Sequence, residues 1–134
     1  MLNLYNIYES VILESTERDA IMDALNNHYT VNIMYDSGKG DENVKRYCQI
    51  YALGKTSKGH DAIRVFQFYP YTRGYMWKTF RVDRIVKWNP TKWRFYRPIS
   101  NERGSTAPRF DPNNDKTLNH GDLAIAKFDD KYRL

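Results

Sequence analysis

The chain is expected to be mainly β within the α+β class. Two short helices should lead into five short strands forming a small, strongly bent antiparallel sheet or barrel, followed by an extended C-terminal arm. Three observations predict it. Apolar residues recur at helical spacing up to about residue 27 and at every second position from Thr30 onward. Turn-forming clusters of glycine, serine and proline cut the alternating part into runs of strand length. After Tyr96 both periods stop. The boundaries that follow are 1–29 for helices packing on the β body, 30–96 for that body, and 97–134 for the arm.

Taken in order, Leu4, Tyr8, Val11 and Ile12 share one helical face, so residues 3–14 read as a short amphipathic helix. Thr16 and Asp19 fit a capping box opening a second helix to about Asn27, with Ile21, Ala24 and Leu25 turned inward. Val31, Ile33 and Tyr35 alternate with Asn32 and Met34, and Ser37-Gly38-Lys39-Gly40 turns into a longer run from Val44 to Lys55, giving an antiparallel hairpin. Ser57-Lys58-Gly59-His60 is the next turn. In Ala62 to Tyr69, Ile63 and Val65 share one face while Arg64, Phe66 and Phe68 share the other, so neither face is expected to be fully wet. The stretch from Trp77 to Phe95 holds all three tryptophans. Phe80 and Val82 lie with Lys78, opposite Trp77, Thr79 and Arg81, which predicts an outward face both aromatic and positive. Asp83-Arg84 is a tight turn between two strands, and Asn89-Pro90 reads as a second break.

With 134 residues the chain suits one domain that folds without staples. Cys48, the single cysteine, gives neither a disulfide nor metal-ligand spacing and reads as a small buried hydrophobe. No stretch has the length of a membrane-spanning helix and the start lacks the charge of a secretory signal, so a cytoplasmic setting without membrane is expected. Charge is unevenly spread. Residues 1–40 carry two Lys/Arg against six Asp/Glu, residues 41–100 thirteen against four, and residues 101–134 six of each. Thirteen of the twenty Phe, Trp and Tyr fall in the middle segment too. Cations meet phosphates and rings stack on bases, so that combination suits single-stranded nucleic acid, while a β domain with an aromatic core and a solvated basic face would look the same.

The tyrosine ending Val31-Asn32-Ile33-Met34-Tyr35, and above all Trp77-Lys78-Thr79-Phe80-Arg81-Val82-Asp83-Arg84-Ile85, resemble a WYL-type domain over residues 18–96. The second stretch is similar to that family's closing Arg-x-Phe-x-x-Asp-Arg-Ile. The resemblance implies an SH3-like or Sm-like barrel. It also implies ligand or single-strand contact through basic positions, matched here by Arg81 and Arg84, with Arg64 as local substitute and Trp77 and Lys78 beside them. Ala62-Ile63-Arg64 stands where the family's Trp-Tyr-Leu is expected, and no winged helix fits before Thr30. The layout of short helix, barrel and a tail with Phe110-Asp111-Pro112-Asn113-Asn114-Asp115-Lys116 and Ile125-Ala126-Lys127-Phe128 resembles small proteins of crAss-like bacteriophages. That implies a virion protein assembled in the host cytoplasm.

Catalytic and cofactor motifs do not emerge. Gly54-Lys55-Thr56 lacks the earlier glycine of a phosphate loop, where Gln49 stands, and reads as a strand end. Asp111, Asn113, Asp115, Thr117, Asn119 and Asp122 have calcium-loop spacing, but Lys116 occupies the turn-glycine position. His28, His60 and His120 are scattered surface or turn residues. Neither enzyme activity, cofactor nor metal is expected. Two functions are: a non-enzymatic structural or assembly protein of a phage particle, a ring or connector subunit that forms homo-oligomers and docks other phage structural proteins through Ile99, Phe110, Leu118, Ile125 and Phe128; or a regulator that contacts DNA, single strands or a ligand through Arg64, Trp77, Lys78, Arg81 and Arg84.

Overall fold

The structure is a computed structural model that describes residues 17–69, 76–95 and 111–127. One helix, α1 (residues 17–27), precedes six strands: β1 (Tyr29–Tyr35), β2 (Lys45–Lys55), β3 (Asp61–Tyr69), β4 (Met76–Arg81), β5 (Ile85–Arg94) and β6 (Ala124–Ile125). The expected helix over residues 3–14 lies outside the described residues. All strand pairings are antiparallel, in the order β4-β3-β2-β1-β5, with β6 beside β2. The mainly β class and the β1–β2 hairpin are as the alternation predicts.

Closure into a barrel is not seen among the described residues, where no ladder joins β4 to β5. A 3₁₀ turn, Val82–Arg84, separates the two strands, as Asp83-Arg84 suggested. The Arg81 amide donates to the Tyr35 hydroxyl at 3.1 Å, and the Asp36 amide donates to the Arg84 carbonyl at 3.0 Å. The expected break at Asn89-Pro90 is also corrected: β5 runs through both residues. Among the described residues it pairs only with β1, so Pro90 stands on an edge strand there, where a missing N–H is tolerated.

Each face of the sheet is covered by a different layer. Val31, Ile33, Cys48, Ile50, Ile63, Val65 and Phe80 point to one side and pack against Ile21, Ala24 and Leu25 of α1. Burial pushes the Cys48 thiol up, out of the reactive range. Opposite them, Tyr51, Ala52, Ala62 and Phe66 form a second, more aromatic core with Phe95 and Leu118, and Trp77 packs half-buried at its margin. The register slips between Ile50 and Ala52, which leaves Tyr51 in a bulge and bends β2. Its first half pairs with β1 through Gln49, and its second half pairs with β6 through Ala52 and Leu53.

Residues 111–127 are therefore a layer of the same body. Leu118 is fully buried, Ile125 packs on the second core, and the Ala126 amide donates to the Tyr51 carbonyl at 2.9 Å. The close approach needs Gly54, because a Cβ there would meet the Leu118 carbonyl at 2.8 Å. Leu118 and Ile125, expected to fasten onto a neighbour, are thus spent on their own chain. Ile99, Phe110 and Phe128 lie outside the described residues. The joint between layers is His28, which ends α1 with a left-handed φ of 58°. Its carbonyl accepts from the Phe95 amide at 2.9 Å, and its Nε2 lies 2.6 Å from the Lys127 carbonyl.

Candidate nucleic-acid interface

The sheet divides the sequence's basic residues into those engaged inside the fold and those displayed on it. Arg64 is engaged: its Nε donates to Asp115 and its Nη1 to the Thr79 hydroxyl, both at 2.8 Å. The same guanidinium lies 5.7 Å from the Trp77 ring centre. Arg81 forks onto Asp83 at 2.9 and 2.6 Å and holds that carboxyl below the usual carboxylate range. Trp77 is packed against Phe66 and Tyr51 at ring separations of 5.4 and 5.0 Å. The expected outward aromatic and positive face of β4 is thus the floor of the second core. Lys78 is half-buried on the opposite face, paired across from Val65, and Arg84 is exposed at the 3₁₀ turn. The structure does not bring these five residues together as one open surface.

A fifth cation has a role the sequence reading missed. Arg46 is 3% exposed, faces the helix-covered core, and donates to Asp41 at 2.8 Å and to Gln67 at 3.1 Å. Its guanidinium also sits 5.5 Å from the Phe80 ring centre. Hydrogen bonds from the Ser37 hydroxyl and amide, with Arg46 beyond them, hold the Asp41 carboxyl below its ordinary range. Asp115 resembles it with one difference. Burial pushes its carboxyl up, but Thr117 and Arg64 together outweigh that and the net direction is down. The calcium-spaced side chains are used the same way: Asp111 accepts from the Asn113 amide at 2.9 Å, and Asn119 donates to the Pro112 carbonyl at 2.7 Å.

Among the described residues, what remains on display is the part of the outer face of β1, β2 and β5 that lies past the buried pair Thr30 and Gln49. Strand register places it row by row. Met34 lies between Lys45 of β2 and Lys87 of β5, and Asn32 lies between Tyr47 and Asn89, with Tyr69 of β3 following Tyr47. Further along β5 come Lys92 and Trp93, both exposed, Trp93 to 69%. Arg94 is engaged on the α1 side instead: it pairs across from Tyr29, donates to the Tyr29 hydroxyl at 3.3 Å, and its guanidinium stands 5.2 Å from that ring centre. From Arg84 to Arg94 there are four cations and no carboxylate. Lys45, Lys87 and Lys92 have no hydrogen-bond or ion-pair partner among the described residues. The signal was available: after Asp83 the alternation of cations and tryptophans continues with no acid to neutralise it.

Such a surface offers point charges for phosphates and flat rings at Tyr47, Tyr69 and Trp93 for bases, along a strand with no neighbour on its outer side among the described residues. Comparison with protein-family models, curated proteins and solved structures gives no match.

Proposed function

We propose that the protein is a non-enzymatic binding subunit whose outer β1–β2–β5 face contacts nucleic acid, within a bacteriophage particle of the kind its layout resembles. The observation that carries this is the outer row of Lys45, Lys87 and Lys92 with the exposed Trp93, in a run from Arg84 to Arg94 that holds no acid. A WYL-like, SH3-like barrel, as the sequence resemblance implies, would place the contact on the wall formed by β5. The test is fluorescence anisotropy with a labelled single-stranded oligonucleotide across a salt series. Three phosphate contacts give a log–log slope of about −2. Replacing Lys45, Lys87 and Lys92 by Gln should flatten that slope and weaken binding. Affinity indifferent to both salt and those substitutions would sink the reading.

A second reading has its own observation. β5 is open along one side among the described residues and displays Val86, 55% exposed, together with Trp93. An open strand with exposed apolar side chains is a template for pairing with another chain. This favours a structural subunit of a ring or connector that meets copies of itself or other virion proteins through a sheet edge, with fastening by residues 111–127 set aside. Solution mass with and without DNA separates the readings. A stable oligomer without DNA supports the second, and a monomer that assembles only on DNA supports the first.

A further inference from the structure

On the outer sheet face, Asn32 of β1 lies between Tyr47 of β2 and Asn89 of β5. Asn89 is exposed, and Asn32 and Tyr47 are half-buried. The Oδ1 of Asn32 is enclosed and accepts no hydrogen bond. Asparagine is disfavoured in strands and a buried polar atom without a partner is costly, so packing gives no reason for a carboxamide in the middle of β1. The Asn89 carboxamide stands on the next strand, yet the two do not bond each other, and Asn89 has no other hydrogen-bond partner among the described residues.

We propose that this row reads the edge of an unpaired base, selecting adenine or cytosine, which carry an exocyclic amine beside a ring-nitrogen acceptor, over thymine. The proposal rests on the nucleic-acid reading above and names what that face selects. A carboxamide sets one acceptor beside one donor, the complement of an amine next to a ring nitrogen, and the two form a bidentate pair. The amine decides the choice, because the orphaned atom of Asn32 is an acceptor set below the surface. An amine projects from the ring and reaches it. Thymine's N3–H is recessed between two carbonyls, which would meet Oδ1 acceptor against acceptor. The neighbouring row supplies the other half of a nucleotide site. Lys45 and Lys87 flank Met34 there, about 7 Å along the strands from Asn32. A strand whose phosphates meet those lysines lays its bases on the row of Tyr47, Asn32 and Asn89, where the Tyr47 ring offers a stacking surface.

Short labelled homopolymers of deoxyadenosine, deoxycytidine and thymidine, titrated with the full-length protein, test this. The first two should bind at least about fivefold more tightly than the third, the lower end of what one bidentate base contact discriminates. Asn32→Leu keeps the size of the side chain and removes the carboxamide. It should erase the ratio by weakening the first two strands alone, and leave the salt slope set by the lysines in place. Its denaturation midpoint should hold or rise, because the orphaned acceptor goes with the amide. Asn89→Ala, at an exposed position where the fold tolerates change, should shrink the ratio as well and carries the test if Asn32→Leu does not fold. Equal affinity for all three strands, or a ratio that survives the substitutions, would overturn the base selection while the phosphate contacts stand. Binding to none of the strands would remove the nucleic-acid reading itself, and the base selection with it.

Discussion

β2 and β5 both flank β1, have nearly equal lengths, and carry similar residues, yet one is interior and the other is surface. β2 holds Lys45, Arg46, Tyr47, Tyr51 and Lys55; β5 holds Lys87, Trp88, Lys92, Trp93 and Arg94. In β2 the cation Arg46 and the ring of Tyr51 are buried, because neighbours on both sides, α1 below and residues 111–127 above leave no water to face. In β5 the cations and Trp93 are exposed, because one edge and much of one face are open among the described residues. Position in the sheet, more than composition, decides which basic-aromatic strand can meet a partner.

That contrast can be broken most forcefully from the β2 side. Tyr51→Ala opens a cavity between the sheet and Leu118 and should cost about 3–5 kcal/mol, in the range for removing a buried aromatic ring. Leu118→Ala, from the opposite wall of the same core, should cost about 2–5 kcal/mol. Both are read as shifts in the denaturation midpoint at unchanged slope. If Leu118→Ala were neutral, residues 111–127 would not be a structural layer. Next in size is Gly54→Ala, whose new Cβ meets the Leu118 carbonyl, an atom of the backbone that cannot simply rotate away. It should cost about 1–3 kcal/mol and raise hydrogen exchange in residues 118–126 before the rest of the sheet.

These layers were unequally legible in the sequence. β1 to β4 and the turn at Asp83-Arg84 could be read because each strand buries one face against α1 and the alternation reports it. Residues 111–127 could not, since Leu118, Leu123 and Ile125 are single anchors without a period, and their partners Tyr51 and Phe66 lie some fifty residues or more upstream. For the same reason Arg64 looked available: its partner Asp115 is remote in sequence. Arg81 is the instructive miss, because Asp83 two residues on was in plain view. The true display, from Lys87 to Arg94, was inside the stretch around which the chain is organised, but the presumed break at Asn89-Pro90 hid that it is one strand.

A smaller effect sharpens the comparison through pH. Asp115 has a lowered pKa in the folded state, so the unfolded chain binds its proton more readily. Its contribution is fully present above the ordinary carboxylate pKa, near 4, and is lost as the pH falls through the lower folded value. Asp115→Asn should therefore cost about 0.5–1 kcal/mol at neutral pH, after allowance for the fifth or so of each side chain that remains exposed. The deficit should shrink as the solution is acidified below pH about 4. Smallest of all on stability is Trp93→Ala, expected to stay within about 0.5 kcal/mol of the parent. On the oligonucleotide it should still remove the roughly 1–3 kcal/mol of one stacked base, a loss of about fivefold or more in affinity. A Trp93→Ala protein that unfolds easily would mean that β5 is as interior as β2.

The covering of the outer aromatic core by Leu118 also sets a timetable for synthesis. Tyr51, Phe66 and Trp77 are made long before residue 118, so a nascent chain presents three unshielded rings on its sheet until the last layer emerges from the ribosome. The hairpins can form first, from local contacts, and the final seventeen described positions then act as a late-arriving lid that ends the period of greatest stickiness. Premature termination anywhere between residues 96 and 111 would leave an aggregation-prone product rather than a smaller working one.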